Sequence, residues 1–328
     1  MSHPIKKHME NKYKLSFCIV TCNQPSQLER LLKSLIVQNL ESVEIIIRDD
    51  SIDNKSKLIV DKYLHKMDIE YYHLEASGVD IAIQHVVKKA KGQYIWLFGD
   101  DVLELDAFKK IKIYLKEFGN LDFIYLNSSD IKKDQTSIKE RNNIATDNKD
   151  KFLMLIKDQL GFMSALIFKK EIIKTAVVND ETVIGTHWIV LYSSLFAIVH
   201  GERLLYLSDI YFCSDEKPAG EKRWYDHYEV HAIRFAREVV KFKDDFSSGK
   251  IRSLISYKFN ISWRAVMVER ALGFHEGFAS HTPKFKNTLT TFWSYPTCYI
   301  ALFFFTLPRG FSSHCYRYYS TINKKIKQ

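Results

Sequence analysis

The stretch Tyr94-Ile95-Trp96-Leu97-Phe98-Gly99-Asp100-Asp101 decides the fold class of this chain. Its first five residues are all apolar or aromatic, which is typical of a strand buried on both faces of a parallel sheet. Gly99 then breaks the run, and two adjacent carboxylates follow it. We therefore predict a covered α/β sheet in which one buried strand ends directly at a charged pair.

Strands and helices alternate on both sides of this stretch. Short apolar and β-branched runs predict strands, and apolar residues at helical spacing predict the helices between them. This alternation implies a mostly parallel sheet with helices on both faces, in which ligands bind at the carboxyl ends of the strands. The predicted strands are Leu15–Val20, Val43–Ile47, Ile69–Leu74, Tyr94–Phe98 and Phe123–Leu126, and the predicted helices are Leu28–Ile36, Leu58–Leu64, Val79–Ala90 and Asp106–Phe118.

The pattern is weaker beyond Asn127. The charged stretch Asp130–Asp150 predicts a mobile or surface segment, Lys151–Leu160 a helix, and the apolar run Gly161–Phe168 a strand. From about Glu221 we expect amphipathic helices.

Composition limits the classes of protein that this chain can be. Its 328 residues are 46% apolar with only 12 Gly and 6 Pro, which excludes a disordered or collagenous chain. The five cysteines are scattered without CxxC spacing, so they predict reduced cytosolic thiols rather than a zinc site or a disulfide framework. The first fourteen residues are polar and basic, and we therefore expect no secretory signal.

The net charge of +9 belongs to the C-terminal part of the chain. Seven of the 48 Lys and Arg residues lie in this part, so the rest of the chain has 48 − 7 = 41 basic residues against 39 acidic ones. This near balance argues against a nucleic-acid surface on the main body. No Asp or Glu follows Glu276, whereas seven basic residues do: Lys284, Lys286, Arg309, Arg317, Lys324, Lys325 and Lys327.

The same C-terminal segment is rich in aromatic residues. Cys298–Leu307 supplies about ten apolar residues, whereas a helix needs roughly twenty to cross a bilayer. Aromatic side chains that suit the headgroup boundary, next to basic ones that attract anionic lipid, predict a segment lying on a membrane surface. The alternative is an ordinary C-terminal core helix with a basic end.

Two acidic loops carry the predicted chemistry. Asp100 and Asp101 suit a hard divalent cation such as Mg²⁺ or Mn²⁺, which uses one or two carboxylates and completes its shell with phosphate and water. The loop Arg48–Asp53 follows the second strand, where an Asp suits a base N–H or a ribose hydroxyl. A helix cap in the first case and an ordinary turn in the second are the alternatives.

In this order, the motifs resemble those of the inverting family-2 glycosyltransferases of the GT-A fold. Leu15–Asn23 is similar to the opening strand and donor loop of that family, and Asp49–Asp53 to its nucleotide loop. The approach Ala90–Tyr94 into Gly99-Asp100-Asp101 is the most specific match. Trp96–Asp101, together with Gly78-Val79-Asp80, resembles bacterial O-antigen and capsule transferases, including abequosyltransferase-like enzymes.

The resemblance implies a nucleotide-sugar donor, Mg²⁺ or Mn²⁺ as cofactor, and an undecaprenyl-diphosphate-linked glycan as acceptor at the cytoplasmic face of the bacterial inner membrane. Asp101 would be a metal ligand with a catalytic role, and Asp100 would contact the ribose, the metal or its water. The remaining donor-binding residues would be Thr21, Asn23, Asp49 and Asp50. The sequence departs from the family pattern at Val102, where a further carboxylate often stands, and in the nucleotide loop, which lacks the usual Gly.

The catalytic base is expected in the second half of the chain. Gly185-Thr186-His187-Trp188 stands where the family commonly carries a Glu-Asp-Trp element. A neutral imidazole accepts a hydroxyl proton near physiological pH, so His187 is the candidate base. The alternatives are a histidine packed beside Trp188 and a base drawn from Asp180, Glu181, Asp209 and Asp215.

These predictions divide the chain into a donor-binding half (13–126), an acceptor-binding half (127–220) and a helical membrane-associating region (221–328). Two other classes of function remain open. A nucleotidyltransferase would be expected to carry a Gly-rich phosphate loop after the first strand, and Thr21–Pro25 has none. A non-catalytic protein that binds sugar nucleotides or glycans at a membrane surface would fit the departures from the family pattern.

Overall fold

The computed structural model of the protein describes residues 14–130, 135–179, 181–214, 226, 228–272 and 285–306. The chain divides into two compact units, residues 1–216 and 217–328. The first unit is built on one ten-stranded sheet. Its strands are β1 (Leu15–Thr21), β2 (Val43–Asp49), β3 (Ile69–His73), β4 (Tyr94–Phe98), β5 (Val102–Leu103), β6 (Phe123–Asp130), β7 (Gln135–Thr136), β8 (Ile144–Thr146), β9 (Leu166–Lys169) and β10 (Leu204–Ser214).

The sheet has a parallel half and a mixed half. Strands β3, β2, β1 and β4 lie side by side and all run in the same direction. Strand β9 is inserted antiparallel between β4 and β6, and β10 pairs with β6 in parallel. The short strands β5, β7 and β8 add antiparallel edges. This mostly parallel α/β sheet confirms the predicted fold class.

The helices follow the predicted apolar spacing. Helix α1 begins with a proline at its first position, where the missing N–H costs nothing, and buries Leu28, Leu31, Leu32 and Leu35. The helices of the first unit are α1 (Pro25–Leu35), α2 (Lys55–Val60), α3 (Val79–Lys89), α4 (Ala107–Glu117), α5 (Lys149–Ile156), α6 (Lys170–Asn179) and α7 (Ile189–His200).

An aromatic cluster joins β1, β4 and α4 beneath the ends of the strands. Phe17 lies 5.0 Å from Trp96, 4.8 Å from Phe98 and 5.2 Å from Phe108 between ring centroids, and all four side chains are fully buried. Tilted and edge-to-face pairs of this kind add packing energy to the burial of apolar area. The strands that carry the loops Thr21–Asn23 and Gly99–Asp101 are therefore held on a rigid base.

Two predictions for the middle of the chain need correction. Asp130–Asp150, expected as a mobile or surface segment, lies mostly at the surface as expected, but it forms β7, β8 and the start of α5, with residues 131–134 outside the described part. Its strands form by backbone pairing at sheet edges, so they need no apolar run. Gly161–Phe168, expected as a strand throughout, is a strand only from Leu166, because Met163–Ala165 form a turn of 3₁₀ helix.

The second unit is helical where it is described. A π-helical stretch Glu229–Arg234 continues into α8 (Phe235–Val240) and is followed by α9 (Lys250–Leu272), α10 (Phe285–Phe292) and α11 (Pro296–Thr306). Phe259 of α9 stacks on Phe292 of α10, with centroids 4.1 Å apart. Across the described part of both units, no helix combines the length and the apolar character needed to span a bilayer.

Candidate active site

Strand register brings the predicted site loops to one edge of the sheet. Thr21 at the end of β1 lies opposite Asp49 at the end of β2, and Ile19 of β1 lies opposite Phe98 at the end of β4. Because these strands are parallel, the turns that follow them leave the sheet on the same side. The loops at Thr21–Asn23, Asp49–Ser51 and Gly99–Asp101 are therefore neighbours.

Backbone and side-chain hydrogen bonds join the first two of these loops. The Asp50 amide donates to the Thr21 carbonyl (2.9 Å), and the Asn23 amide donates to the Ser51 hydroxyl (2.7 Å). The Asn23 side-chain oxygen accepts from the amide of Ile52 (3.1 Å). Asn23 has a φ of 54°, a left-handed conformation that Asn adopts more readily than most residues. Thr21 and Asn23 thus shape the loop mainly through backbone and amide contacts.

The Asp49 carboxylate is fully buried and bound by protein donors. It accepts hydrogen bonds from the Ser51 amide (2.9 Å), the Ser51 hydroxyl and the Tyr71 hydroxyl (2.6 Å). Burial, and then the hydrogen bond to Asp49, raise the pKa of Tyr71 far above its usual range, so the phenol remains a donor. Asp49 therefore stabilises the loop through its bonds to Ser51 and Tyr71. Its role as a nucleotide ligand stays a prediction.

Asp50 is held by a buried arginine. Arg48 Nε lies 2.7 Å from Asp50 Oδ1, and both side chains are at least nine-tenths buried. The Ser77 amide donates to Asp50 Oδ2 (3.2 Å), and an Arg48 Nη donates to the Ser77 hydroxyl. A buried pair of this kind needs such additional hydrogen bonds to offset its desolvation. Asp50 is thereby fixed at the wall of a cleft.

That cleft lies between the loops after β2 and β3. It has a volume of about 440 Å³. One wall carries Asp50 and the exposed side chain of Ile52, and His73 Nε2 lies 2.8 Å from the Ser51 carbonyl oxygen. Its size falls in the range of small-molecule sites. The cleft is lined by Asp50, Ser51, Ile52, His73, Leu74, Glu75 and Ala76.

Ser164 holds the turn that leads to Asp100 and Asp101. Its hydroxyl accepts from the Gly99 amide (3.1 Å), and its carbonyl accepts from Trp96 Nε1 (2.8 Å). Asp100 is partly exposed and Asp101 is 8% exposed. Directly after them, β5 pairs with β10 through Val102 opposite Cys213. The carboxylate pair is therefore fixed from both sides by backbone pairing and by one buried serine.

Val102, which replaces a further carboxylate, serves the fold. It begins β5, and its partner Cys213 donates from Sγ to Glu104 Oε1 (2.8 Å). Burial, and then Glu104, raise the pKa of the Cys213 thiol, with a smaller contribution from Asp101. The thiol is thus a protonated donor beside the acidic turn.

The donor set at this turn fits a divalent cation that shares its shell with a ligand. In the described residues, no cluster of three or more His, Cys, Asp or Glu side chains could enclose a metal ion. Two adjacent carboxylates supply the hard oxygen atoms that Mg²⁺ and Mn²⁺ prefer, and such ions take their remaining ligands from phosphate and water. Asp100 and Asp101 could therefore supply only some of the ligands of such an ion. The remaining ligands would come from a bound diphosphate and from water.

His187 lies at the entrance to α7. Its φ is 69°, and its backbone amide donates to Asp80 Oδ2 (2.8 Å). Gly161 packs against the ring of the next residue, Trp188, so closely that an added Cβ would lie 2.5 Å from Cζ3. The loop Gly161–Ser164 therefore contacts Trp188 at one end and Gly99 at the other, and it connects the two halves of the predicted site.

Two of the four alternative bases, Glu181 and Asp209, lie in the part of the chain that the structure describes. Glu181 is exposed, and Asp209 lies 3.7 Å from Lys110 with more than half of its side chain exposed. Asp180 and Asp215 lie outside the described residues. The assignment of His187 as the base stays a prediction.

Three residues of this region were not predicted from the sequence. Ser164 carries no motif, and Tyr71 stands in a strand that reads as an ordinary one. Asp80 had a detectable signal, because it shares the buried face of α3 with Ile83 and Val87. A carboxylate on an apolar helix face needs a partner, and here the partners are backbone amides.

Comparison with known proteins finds a family model that matches part of the first unit. Residues 16–175 match the model of Glycosyl transferase family 2. Over 195 residues the chain is 28% identical to Abequosyltransferase RfbV of Salmonella typhimurium, covering 53% of this chain and 58% of that protein. The matched segments span 37%, 28% and 58% of the lengths of three curated relatives.

Solved structures share the fold at low sequence identity. S. aureus TarS 1–349 in complex with UDP-GlcNAc gives a TM-score of 0.64 at 15% identity, covering 93% of this chain and 91% of that one. The mannosyltransferase PcManGT from Pyrobaculum calidifontis in complex with GDP-Man and Mn²⁺ gives 0.53 at 12% identity, covering 89% and 85%. Residues 16–175 therefore form a glycosyl transferase family 2 domain, and the fold is that of the GT-A glycosyltransferases.

Proposed function

We propose that this protein transfers a sugar from a nucleoside-diphosphate sugar to a hydroxyl group of a lipid-linked glycan during bacterial O-antigen or related polysaccharide synthesis. One observation carries the proposal. The Asp100–Asp101 pair ends β4 at the same edge of the sheet as the cleft beside Asp50. A nucleotide in the cleft and a diphosphate at the carboxylate pair would lie along one edge, as a sugar nucleotide requires.

The cleft would take the nucleoside. Its wall offers the apolar surface of Ile52 and Leu74 to a planar base, and Asp50 and Ser51 to polar groups of base or ribose. The 28% identity to an abequosyltransferase and the fold shared with a UDP-GlcNAc complex favour a nucleotide-sugar donor. The sugar and the base that this chain selects are open to experiment.

Asp101, with Asp100 beside it, would hold Mg²⁺ or Mn²⁺ at the diphosphate. Bound there, the ion supplies charge neutralisation for the departing nucleoside diphosphate. A glycosyltransferase neighbour of the same fold binds Mn²⁺ together with GDP-Man, which supports this assignment. Ser164 and the β5–β10 pairing hold the backbone before and after the two carboxylates, which would limit reorganisation of the turn when the donor binds.

His187 would act as the general base toward the acceptor. Its neutral imidazole would take the proton of the attacking hydroxyl while the bond between sugar and phosphate breaks. Trp188, packed on Gly161, fixes the backbone beside it. Together with the carboxylate pair, His187 would complete an inverting displacement.

Nucleotide binding with and without metal tests this function most directly. We expect one of UDP, CDP, GDP and dTDP, in the presence of Mn²⁺, to raise the unfolding temperature, because saturation at about 100 Kd stabilises by roughly 2.7 kcal/mol. The Asp101→Asn variant should lose the part of this rise in unfolding temperature that depends on Mn²⁺. Asp61→Asn is the matched control, because Asp61 is an exposed carboxylate at the end of α2, is paired with Lys57 and belongs to no part of the proposed site. A metal-independent response, or none with any of the four, would refute the assignment.

The acceptor would be reached at an anionic membrane surface. The turn after α10 and the exposed face of α11 carry aromatic side chains, with Trp293 64%, Tyr299 56% and Phe303 61% exposed, whereas Phe292 and Leu302 are buried. No acidic residue follows Glu276. Exposed aromatic side chains beside a basic segment suit the interface of an anionic bilayer.

Vesicle sedimentation tests the membrane assignment. Trp293→Ala combined with Phe303→Ala should lower binding to phosphatidylglycerol vesicles at least tenfold, because two large aromatic groups no longer enter the interface. Ile52→Ala combined with Leu105→Ala is the control, since both side chains are also highly exposed (90% and 69%) but lie in the first unit. Equal binding by the two double variants would rule out this face as the contact.

A further inference from the structure

We propose that Asp80 is a positioning residue that holds His187 in its working place and ties it to the nucleotide cleft. The inference rests on the proposed function, in which His187 is the base. Asp80 belongs to the first turn of α3, more than one hundred residues before the loop that it holds. It stands in the Gly78-Val79-Asp80 stretch that carries part of the family resemblance, but that resemblance gives it no role.

Both carboxylate oxygens of Asp80 accept backbone amides. Oδ2 lies 2.8 Å from the His187 nitrogen and Oδ1 lies 3.1 Å from the Ile189 nitrogen. Asp80 is 3% exposed, so these bonds form away from water, where charge-assisted bonds are strong. They hold the backbone of His187 and the first residue of α7 at the same time.

The backbone of His187 needs this support. Its φ of 69° is left-handed, a conformation that costs a non-glycine residue roughly 1–2 kcal/mol. The Thr186 hydroxyl is a second side-chain anchor of the segment before α7, since it donates to the Val183 carbonyl (2.7 Å) and accepts from the Trp188 amide (3.1 Å). Thr186 fixes the turn locally, whereas Asp80 fixes it to another helix.

The charge of Asp80 also suits its place. The start of α7 presents backbone amides without partners in the helix and the positive end of the helix dipole. A carboxylate there satisfies two amides, and its negative charge is stabilised by the dipole. An uncharged residue of similar size would satisfy fewer of the amides.

The start of the helix that carries Asp80 is also bonded to the Arg48–Asp50 pair at the cleft. Ser77, just before α3, donates its amide to Asp50 (3.2 Å), and Arg48 Nη1 donates to the carbonyl of Ile81 in the first turn (3.3 Å). Gly78 lies between them with a φ of 91°. A continuous chain of bonds therefore runs from Asp50 through the start of α3 to the backbone of His187.

The test compares two carboxylates that do the same structural work at different places. Asp122 also receives two backbone amides, from Glu202 (2.9 Å) and Arg203 (3.1 Å), and it belongs to no part of the proposed site. We would measure kcat, nucleoside-diphosphate affinity and amide hydrogen exchange for Asp80→Ala, Asp80→Asn, Asp122→Ala, His187→Ala and the double variant Asp80→Ala/His187→Ala.

We expect Asp80→Ala to lower kcat on the order of 100-fold, since a misplaced catalytic group costs about that much. Nucleotide affinity should change less than about threefold. The kcat of Asp80→Asn should lie between those of the unchanged protein and Asp80→Ala, because the Asn amide oxygen still accepts one bond. In the double variant the Asp80 change should cost nothing more, since residues that act as a unit are not additive. Exchange at His187 and Ile189 should accelerate in Asp80→Ala and stay unchanged in Asp122→Ala.

Two results would overturn the proposal. The first is a loss of kcat in Asp122→Ala as large as in Asp80→Ala. The second is an Asp80 effect of the same size with and without His187. Absence of turnover in the unchanged protein would refute the proposed function instead, and hydrogen exchange would then decide the role of Asp80, because unaltered exchange at His187 in Asp80→Ala would overturn it independently.

Discussion

Gly92 lies just before β4 and packs against residues of β1 and β2. Replacing it with alanine should destabilise the first unit strongly. An added Cβ would lie 2.6 Å from the Ser16 nitrogen and 2.8 Å from the Leu15 carbonyl carbon. The shorter distance is about 0.9 Å inside the usual contact distance of about 3.5 Å. Both atoms belong to the backbone of β1, in the middle of the sheet, so the strand cannot yield locally.

The same shift would disturb a buried carboxylate. The Gly92 amide donates to Glu44 Oε1 (3.0 Å) and to the Ser16 hydroxyl (2.8 Å), and Glu44 is 4% exposed. Overpacking costs about 1–3 kcal/mol, and a hydrogen bond to a charged group contributes about 1.5–3 kcal/mol. We therefore expect Gly92→Ala to lower the free energy of unfolding by about 3–4 kcal/mol.

Urea unfolding followed by circular dichroism measures this effect. Gly119→Ala is the matched control, because Gly119 has a φ of 49° and no atom lies within 4 Å of its added Cβ. Conformational strain alone should cost that variant about 1–2 kcal/mol. The steric reasoning would be refuted if Gly92→Ala lost no more free energy of unfolding than Gly119→Ala, while the slope of that free energy against urea concentration stayed unchanged.

Three further changes test other contacts. Gly161→Ala should displace the Trp188 ring beside His187 and lower kcat at least tenfold while nucleotide affinity is kept, as initial rates and calorimetry would show; an unchanged kcat would contradict the role given to this loop. Arg48→Met leaves the buried Asp50 carboxylate without its cation and should cost about 3–5 kcal/mol in urea unfolding, whereas a loss below 1 kcal/mol would argue against a buried pair. Burial raises the pKa of Asp122, but the Glu202 amide, Lys169 and the Arg203 amide outweigh it, so the pKa is lowered overall. This stabilisation is present above the unfolded pKa of about 3.9 and is lost as pH falls through the folded pKa, so Asp122→Asn should flatten the acid decline of stability below about pH 4.

Much of the first half of the fold could be predicted from the sequence. Strands β1, β2 and β4 are buried almost throughout, so most of their residues are apolar, with Ser16, Glu44 and Arg48 as buried polar exceptions. Helices α1 and α3 carry their buried residues at helical spacing. These patterns are local, because each residue reports its own burial. The location of the site loops at one edge of the sheet could also be predicted, since parallel strands place their carboxyl ends at the same edge.

The mixed half could not be predicted in this way. Strand β9 has four residues, and nothing in its composition tells that it runs antiparallel between β4 and β6. Strands β7 and β8 lie in a polar stretch, where backbone pairing with β6 and β10 replaces side-chain burial. Direction and pairing depend on partners that are distant along the chain.

The sequence by itself determined the parallel strands, the polar turns at their ends and the identity of the acidic pair Asp100–Asp101, because apolar periodicity and residue chemistry are local properties. Only the tertiary structure decided that Asp49 is enclosed by Ser51 and Tyr71, and that Ser164 holds the turn before the acidic pair. It also decided that Asp80 reaches the backbone of His187. Apart from the Asp49–Ser51 contact, these bonds join residues far apart in sequence, and their hydrogen-bond geometry exists only once the chain has brought the residues together.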